Sequence, residues 1–147
     1  MVATEAQQHA ARAEAPDLPS GPLDVLVVES LPRAAAAAAE ALTAAGHTVH
    51  RCYDDGVPGF PCYAVAGPGA CPLDHHVDVA LVVRRRVDPR PTVFERGVAC
   101  ALRAGVPVVE QGPDLLDPFA PWIEPRLTDR DDVVDACRRA AAHHRNR

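Results

Sequence analysis

The sequence predicts a small three-layer α/β domain built on a mostly parallel sheet of four or five strands. Valine-rich apolar runs at 23–28 and 77–83 are typical of strands buried on both faces of a parallel sheet. Between such runs lie segments of helical composition, among them the alanine-rich stretch at 30–46. This alternation implies right-handed crossovers, with helices on both faces of the sheet.

Composition limits both the size of the protein and its chemistry. The 147 residues, 48% of them hydrophobic, suit one domain with its own core, and the net charge of −5 argues against a nucleic-acid partner. All 15 basic residues are arginine, a bias typical of GC-rich bacterial genomes. Because the chain has no lysine, mechanisms that need a lysine amine are excluded.

The N-terminal segment and the overall hydropathy predict a cytoplasmic protein. Residues 1–21 have no complete apolar face and no secretory signal pattern, so we expect a mobile arm before a single domain at 22–147. No window approaches the ~18 apolar residues that a membrane span requires. Thiols stay reduced in the cytoplasm, so the five cysteines are not expected to form a disulfide framework.

The first half of the domain contains a strand, a helix and a second strand. After the strand at 23–28, Ser30 is expected to cap the first helix, with Pro32 in its first turn and Gly46 at its end. The second strand is predicted at 47–53.

The second half contains two more strands and two more helices. The third strand lies at 77–83, and Thr92 and Glu95 have the spacing of a capping box at the start of the second helix. A fourth strand is predicted at 106–110, followed by a last helix that Thr128 opens. We expect the strand order 2-1-3-4, as in flavodoxin-like folds.

The segment "VLVVESLPRAAAAAAEALTAAGHTVHRCYDDG", residues 25–56, resembles the opening of response-regulator receiver domains. That family holds Mg²⁺ with paired acids after the first strand and phosphorylates an aspartate at the end of the third. Here Glu29 stands in the acidic position and Val83 in the acceptor position. The resemblance therefore implies a degenerate receiver without phosphotransfer.

A second resemblance covers "RPTVFERGVACALRAGVPVV", residues 90–109. Its aromatic-Glu-x-Gly helix start is similar to that of nucleoside deoxyribosyltransferase-like proteins. The resemblance implies that Glu95 is a nucleophile that attacks the sugar, a role suited to a carboxylate beside an oxocarbenium-like transition state. Spacing alone also fits Glu95 as the partner of Thr92 in a capping box.

The carboxyl ends of the first and third strands supply a candidate ligand site. Ligands of open α/β sheets bind beyond these ends, where Glu29, Arg84, Arg85 and Arg86 are expected. Guanidinium groups suit bidentate contacts with a phosphate or nucleotide. The alternative is a solvated strand end whose arginines pair with nearby acids.

The connection at 53–76 is the most unusual part of the sequence. Its prolines and glycines preclude a long helix, although parallel crossovers commonly contain one. The connection and the residue before it supply three thiols and an imidazole, from Cys52, Cys62, Cys71 and His75. These four side chains could hold zinc or part of an iron–sulfur cluster. Their spacing matches no standard signature, so buried structural cysteines and a redox thiol pair remain alternatives.

Two further cysteines, Cys100 and Cys137, fall on predicted helices, where we expect them to be small buried apolar residues.

These patterns favour a non-catalytic regulatory or binding module whose Cys/His loop is a metal or ligand site. One alternative is a deoxyribosyltransferase-like or nucleotide-binding enzyme that uses Glu95. Another is a structural interaction domain that presents Phe119 and Trp122 to a partner. The expected partner is another protein or a small anionic ligand, and the sequence leaves a homodimer open.

Overall fold

A computed structural model describes residues 21–53, 62–66, 71–85, 89–112, 117–123, 126–128 and 131–147. The predicted N-terminal arm, apart from Gly21, lies outside the described residues. Arg86 and parts of the 53–76 connection also lie outside them.

Strands and helices alternate along the described chain. In order they are β1 (Asp24–Glu29), α1 (Ala36–Ala44), β2 (Thr48–His50), α2 (Tyr63–Ala66), β3 (Val79–Val83), α3 (Arg96–Arg103), β4 (Val108–Gln111), β5 (Arg126–Leu127) and α4 (Val133–Arg145). Short 3₁₀ turns precede β3 at Pro72–Asp74 and α3 at Val93–Glu95.

The strands form one sheet in the order β2-β1-β3-β4-β5, and every described strand pair is parallel. Leu26, Ala80 and Val108 are neighbours across the three central strands. The predicted order 2-1-3-4 is confirmed, with the two-residue β5 added at one edge. The protein has the predicted flavodoxin-like three-layer α/β fold.

Alternate side chains of the sheet pack against different helices. One face of β1 and β3, with Val25 and Leu81, contacts α1 and α4. The opposite face, with Val28 and Val82, contacts α3. All five residues of β3 are buried, which explains why its sequence is a continuous apolar run. No described helix is long and apolar enough to cross a bilayer.

The expectation that Ser30 caps the first helix is wrong. Helix α1 begins only at Ala36, and the carboxylate of Glu29 accepts a hydrogen bond from the Ala35 N–H, 3.0 Å from Oε2. Ser30 bonds across the sheet edge instead: its Oγ accepts from the Arg85 N–H at 2.9 Å, and its carbonyl accepts from the Thr92 hydroxyl at 2.6 Å. Glu29, on β1, therefore accepts the hydrogen bond at the start of α1 that the local sequence suggested for Ser30.

The start of the last helix also differs from the prediction. Helix α4 begins at Val133, and Asp132 caps it by accepting from the backbone N–H groups of Val134 and Asp135. Thr128, the predicted cap, instead donates its N–H to Asp131. Both residues are good cap formers, so sequence alone does not decide between them.

Candidate functional site

The carboxyl ends of β1, β3 and β4 meet in a cluster of buried polar side chains. The described members include Glu29, Ser30, Arg84, Glu95, Glu110 and Gln111. Charged groups at this depth require partners, because an unpaired buried charge is strongly destabilising. The contacts inside the cluster therefore decide which groups remain for a ligand.

Arg84 and Glu95 form the central ion pair of this cluster. The Arg84 Nε lies 2.7 Å from Glu95 Oε2, and both side chains are almost completely buried. Glu95 Oε1 accepts the Thr92 N–H at 2.8 Å, which confirms the predicted capping box at the start of α3. The Arg84 guanidinium also lies over the Phe119 ring, 5.8 Å from its centroid. Both oxygens of Glu95 therefore have protein partners.

The described residues of the predicted anion site have different environments. The Arg84 side chain lies inside the protein, whereas Arg85 is exposed, and Arg86 lies outside the described residues. Glu29 is buried against the start of α1, 3.5 Å from the Arg51 guanidinium. The proposed anion site remains a prediction, and the internal pairing of Arg84 gives it no added support.

Two acidic side chains, Glu110 at the end of β4 and Asp117, interact with each other. Burial, together with a hydrogen bond and the negative charge of Asp117, raises the pKa of Glu110 to about 8. The Arg126 guanidinium lies 2.9 Å from Asp117 Oδ2 and partly offsets the effect. The raised pKa favours the protonated form of Glu110 near neutral pH, and the Arg126 guanidinium contacts Asp117.

Three of the four predicted metal ligands meet in a different place, beside α3. Four cysteine side chains line one cavity of about 70 Å³, which we call the thiol cavity: Cys52, Cys62, Cys71 and Cys100. His75 lines a separate cavity with His76 and Asp78. The structure thus adds a fourth thiol to the predicted three and places the imidazole elsewhere.

Cys100 was expected to be a buried apolar residue, and this expectation is wrong. Its side chain is exposed on α3, whereas Cys137 is fully buried in the core as expected. Cys100 and Gly97 are three residues apart and share one helix face. That face meets the end of β2, where a Cβ on Gly97 would lie 3.0 Å from Cys52 Sγ. The close approach brings Cys100 to the thiol cavity.

The electrostatics of Cys52 indicate that the four thiols act on one another. Burial, and after it the charges of Cys71, Cys100 and Cys62, raise the pKa of Cys52 to about 12. Tyr53 and Phe94, whose ring centroids are 5.8 Å apart, also line the cavity. Because its pKa is raised, Cys52 stays protonated near neutral pH unless a cation replaces its proton.

The four thiols do not have the geometry of a site for a single metal ion. Within the described part of the chain, no three His, Cys, Asp or Glu side chains converge closely enough to hold an ion as they stand. A closed zinc site needs four ligands at tetrahedral positions around one atom.

The aromatic residues of the interaction-domain alternative have different environments. Phe119 is buried under Arg84, whereas Trp122 is 65% exposed. Trp122 lines a larger groove of about 580 Å³ together with Val106 and Leu127. Of these two aromatic side chains, Trp122 is therefore the one that a partner can reach.

Comparison with known proteins supplies no relative from which to infer a function. No protein-family model matches the chain, and no curated protein gives a significant match. The two resemblances therefore remain predictions, and the functional argument depends on the geometry of the described residues.

Replacing Glu95 by alanine tests whether this carboxylate is structural or catalytic. The substitution removes the carboxylate that lies nearest to the buried Arg84 guanidinium, while Asp117 remains 4.0 Å from it. We therefore expect a loss of about 3 kcal/mol in the free energy of unfolding. Glu40→Ala, at an exposed position of α1, should change it by less than about 0.5 kcal/mol. Unchanged denaturant stability with loss of a measurable nucleoside hydrolysis would instead identify Glu95 as a nucleophile.

The pKa of Glu110 predicts a pH dependence of stability. Because folding raises this pKa from about 4.5 to about 8, the protonated carboxyl stabilises the fold at low pH, and this contribution is lost as pH rises through 8. Glu110→Gln stays neutral at every pH. The denaturant concentration at which half of this variant unfolds should therefore fall less than that of the parent protein between about pH 6 and about pH 9, on either side of the raised pKa. Glu40→Gln should follow the parent, and identical pH profiles for all three proteins would contradict the assignment.

Proposed function

We propose that the protein is a non-catalytic regulatory or binding module that binds a thiophilic metal centre in its thiol cavity. The observation that carries this proposal is the meeting of four cysteines at one cavity in a chain with five. Thiolates are soft ligands that select zinc, copper(I) or iron–sulfur centres over magnesium and calcium. The chemistry of the cavity thus indicates the class of ligand.

The ligands come from separate parts of the fold, which supports a regulatory role. Cys52 follows β2, Cys62 precedes α2, Cys71 precedes the 3₁₀ turn before β3, and Cys100 lies on α3. A centre bound by all four would join the β2–β3 connection to a helix that packs on the sheet. Binding would then stabilise one arrangement of that connection, since a ligand selects the state that it binds more tightly.

The receiver-like features support binding rather than phosphotransfer. Val83, at the position of the phospho-acceptor, is fully buried and cannot accept a phosphoryl group. Glu29, in the acidic position, is engaged by the N–H of Ala35. We propose that a metal centre takes the place of the phosphorylation switch in this domain.

The enzymatic alternative has less support from the geometry. A nucleophilic carboxylate needs an open approach for the sugar, whereas Glu95 is 1% exposed and contacts both Arg84 and the start of α3. The role of Glu95 as a nucleophile therefore remains a prediction that the stability test above can decide.

Metal analysis of protein purified without air tests the proposal. We expect a bound metal in the parent protein, its loss in Cys71→Ser, and its retention in Cys137→Ser, which alters only a core thiol. Because protons compete for thiolates, acidification from about pH 8 to about pH 5 should release the metal. Less than about a tenth of an equivalent of any metal after reconstitution with zinc, or with iron and sulfide, would contradict the proposal.

A further inference from the structure

We infer that the thiol cavity holds an iron–sulfur cluster with Cys52, Cys62, Cys71 and Cys100 as its four ligands. This inference rests on the proposed function, because it specifies which metal centre the cavity takes. It also assigns a ligand, Cys100, that lies outside the Cys/His connection and comes from helix α3.

The size of the cavity favours a cluster over a single ion. Zinc–sulfur bonds of about 2.3 Å would place the four sulfur atoms within about 4 Å of one another and leave no space between them. Here the four cysteines line a cavity of about 70 Å³, which is larger than one ion needs. A cluster of iron and inorganic sulfide occupies such a volume and is bound by cysteines that lie farther apart.

The number and type of ligands agree with this occupant. Iron–sulfur clusters of the [2Fe–2S] and [4Fe–4S] types are commonly bound by four cysteine thiolates. The structure gathers four thiols at the cavity, whereas His75 lines a different cavity. Each cysteine releases its thiol proton to solvent as its sulfur binds iron. The oxidised forms of both clusters contain ferric iron, so ferric salt supplies the metal, and a thiol reductant converts to ferrous iron the share that a [4Fe–4S] cluster needs.

The walls of the cavity also suit a cluster. Leu73, Pro72 and Phe94 make part of the wall apolar, and Arg96, a cationic residue, also lines the cavity. Burial and neighbouring charge are among the features by which a protein sets the reduction potential of a cluster. On the α3 side, Gly97 allows the helix backbone to approach Cys52 closely.

Reconstitution of the full chain with ferric iron, sulfide and a thiol reductant, without air, tests this inference. We expect broad visible absorbance and equal amounts of iron and acid-labile sulfide, about two or about four of each per chain. Cys100→Ser should lose most of the absorbance, whereas His75→Ala and Cys137→Ser should keep it. Because Cys100 is exposed, its serine variant should fold normally, which far-ultraviolet circular dichroism can check.

The possible outcomes separate this inference from the proposed function. About one equivalent of zinc, with no sulfide and no visible absorbance under any reconstitution, would overturn the cluster and leave metal binding intact. Failure to retain any metal would overturn both. Loss of the cluster in His75→Ala with retention in Cys100→Ser would overturn the four-cysteine ligand set.

Discussion

The arrangement of the candidate site depends on the buried ion pair between Arg84 and Glu95. Arg84 follows β3 and Glu95 precedes α3, so their contact fixes the start of this helix at the carboxyl edge of the sheet. The Thr92 hydroxyl adds a bond to the carbonyl of Ser30 after β1. With its start held in this way, α3 places Gly97 beside Cys52 and Cys100 at the thiol cavity. The polar cluster thus positions the site.

The sheet was predictable because buried parallel strands have a distinct composition. The valine-rich runs around Val25 and Val79 indicated both strands and, with the right-handed crossover rule, their order. Local chemistry was less reliable at helix starts, where Glu29 and Asp132 replaced the expected caps through contacts that depend on the folded chain. Strand β5 has two residues, too few for any periodic pattern.

The site was predictable only in part, because its ligands are brought together by tertiary packing. The three cysteines of the β2–β3 connection drew attention by their proximity in sequence, whereas Cys100 lies on a helix that sequence spacing does not relate to them. Cys100 reaches the cavity because of the orientation of α3 about its own axis, and the Arg84–Glu95 pair holds the start of this helix in place. A run of three arginines likewise suggested a solvated strand end, yet the first of them is buried because Glu95 neutralises it.

Site-resolved alkylation of protein isolated without air is the most direct test of a centre bound by all four thiols. Cys100 is decisive, because it is exposed in the fold and a bound centre would shield it from an alkylating reagent. We expect mass spectrometry to find Cys100 shielded together with Cys52, Cys62 and Cys71, and all four released together by a chelator under acid. Alkylation of Cys100 at the rate of a free surface thiol, before any chelator is added, would contradict this account.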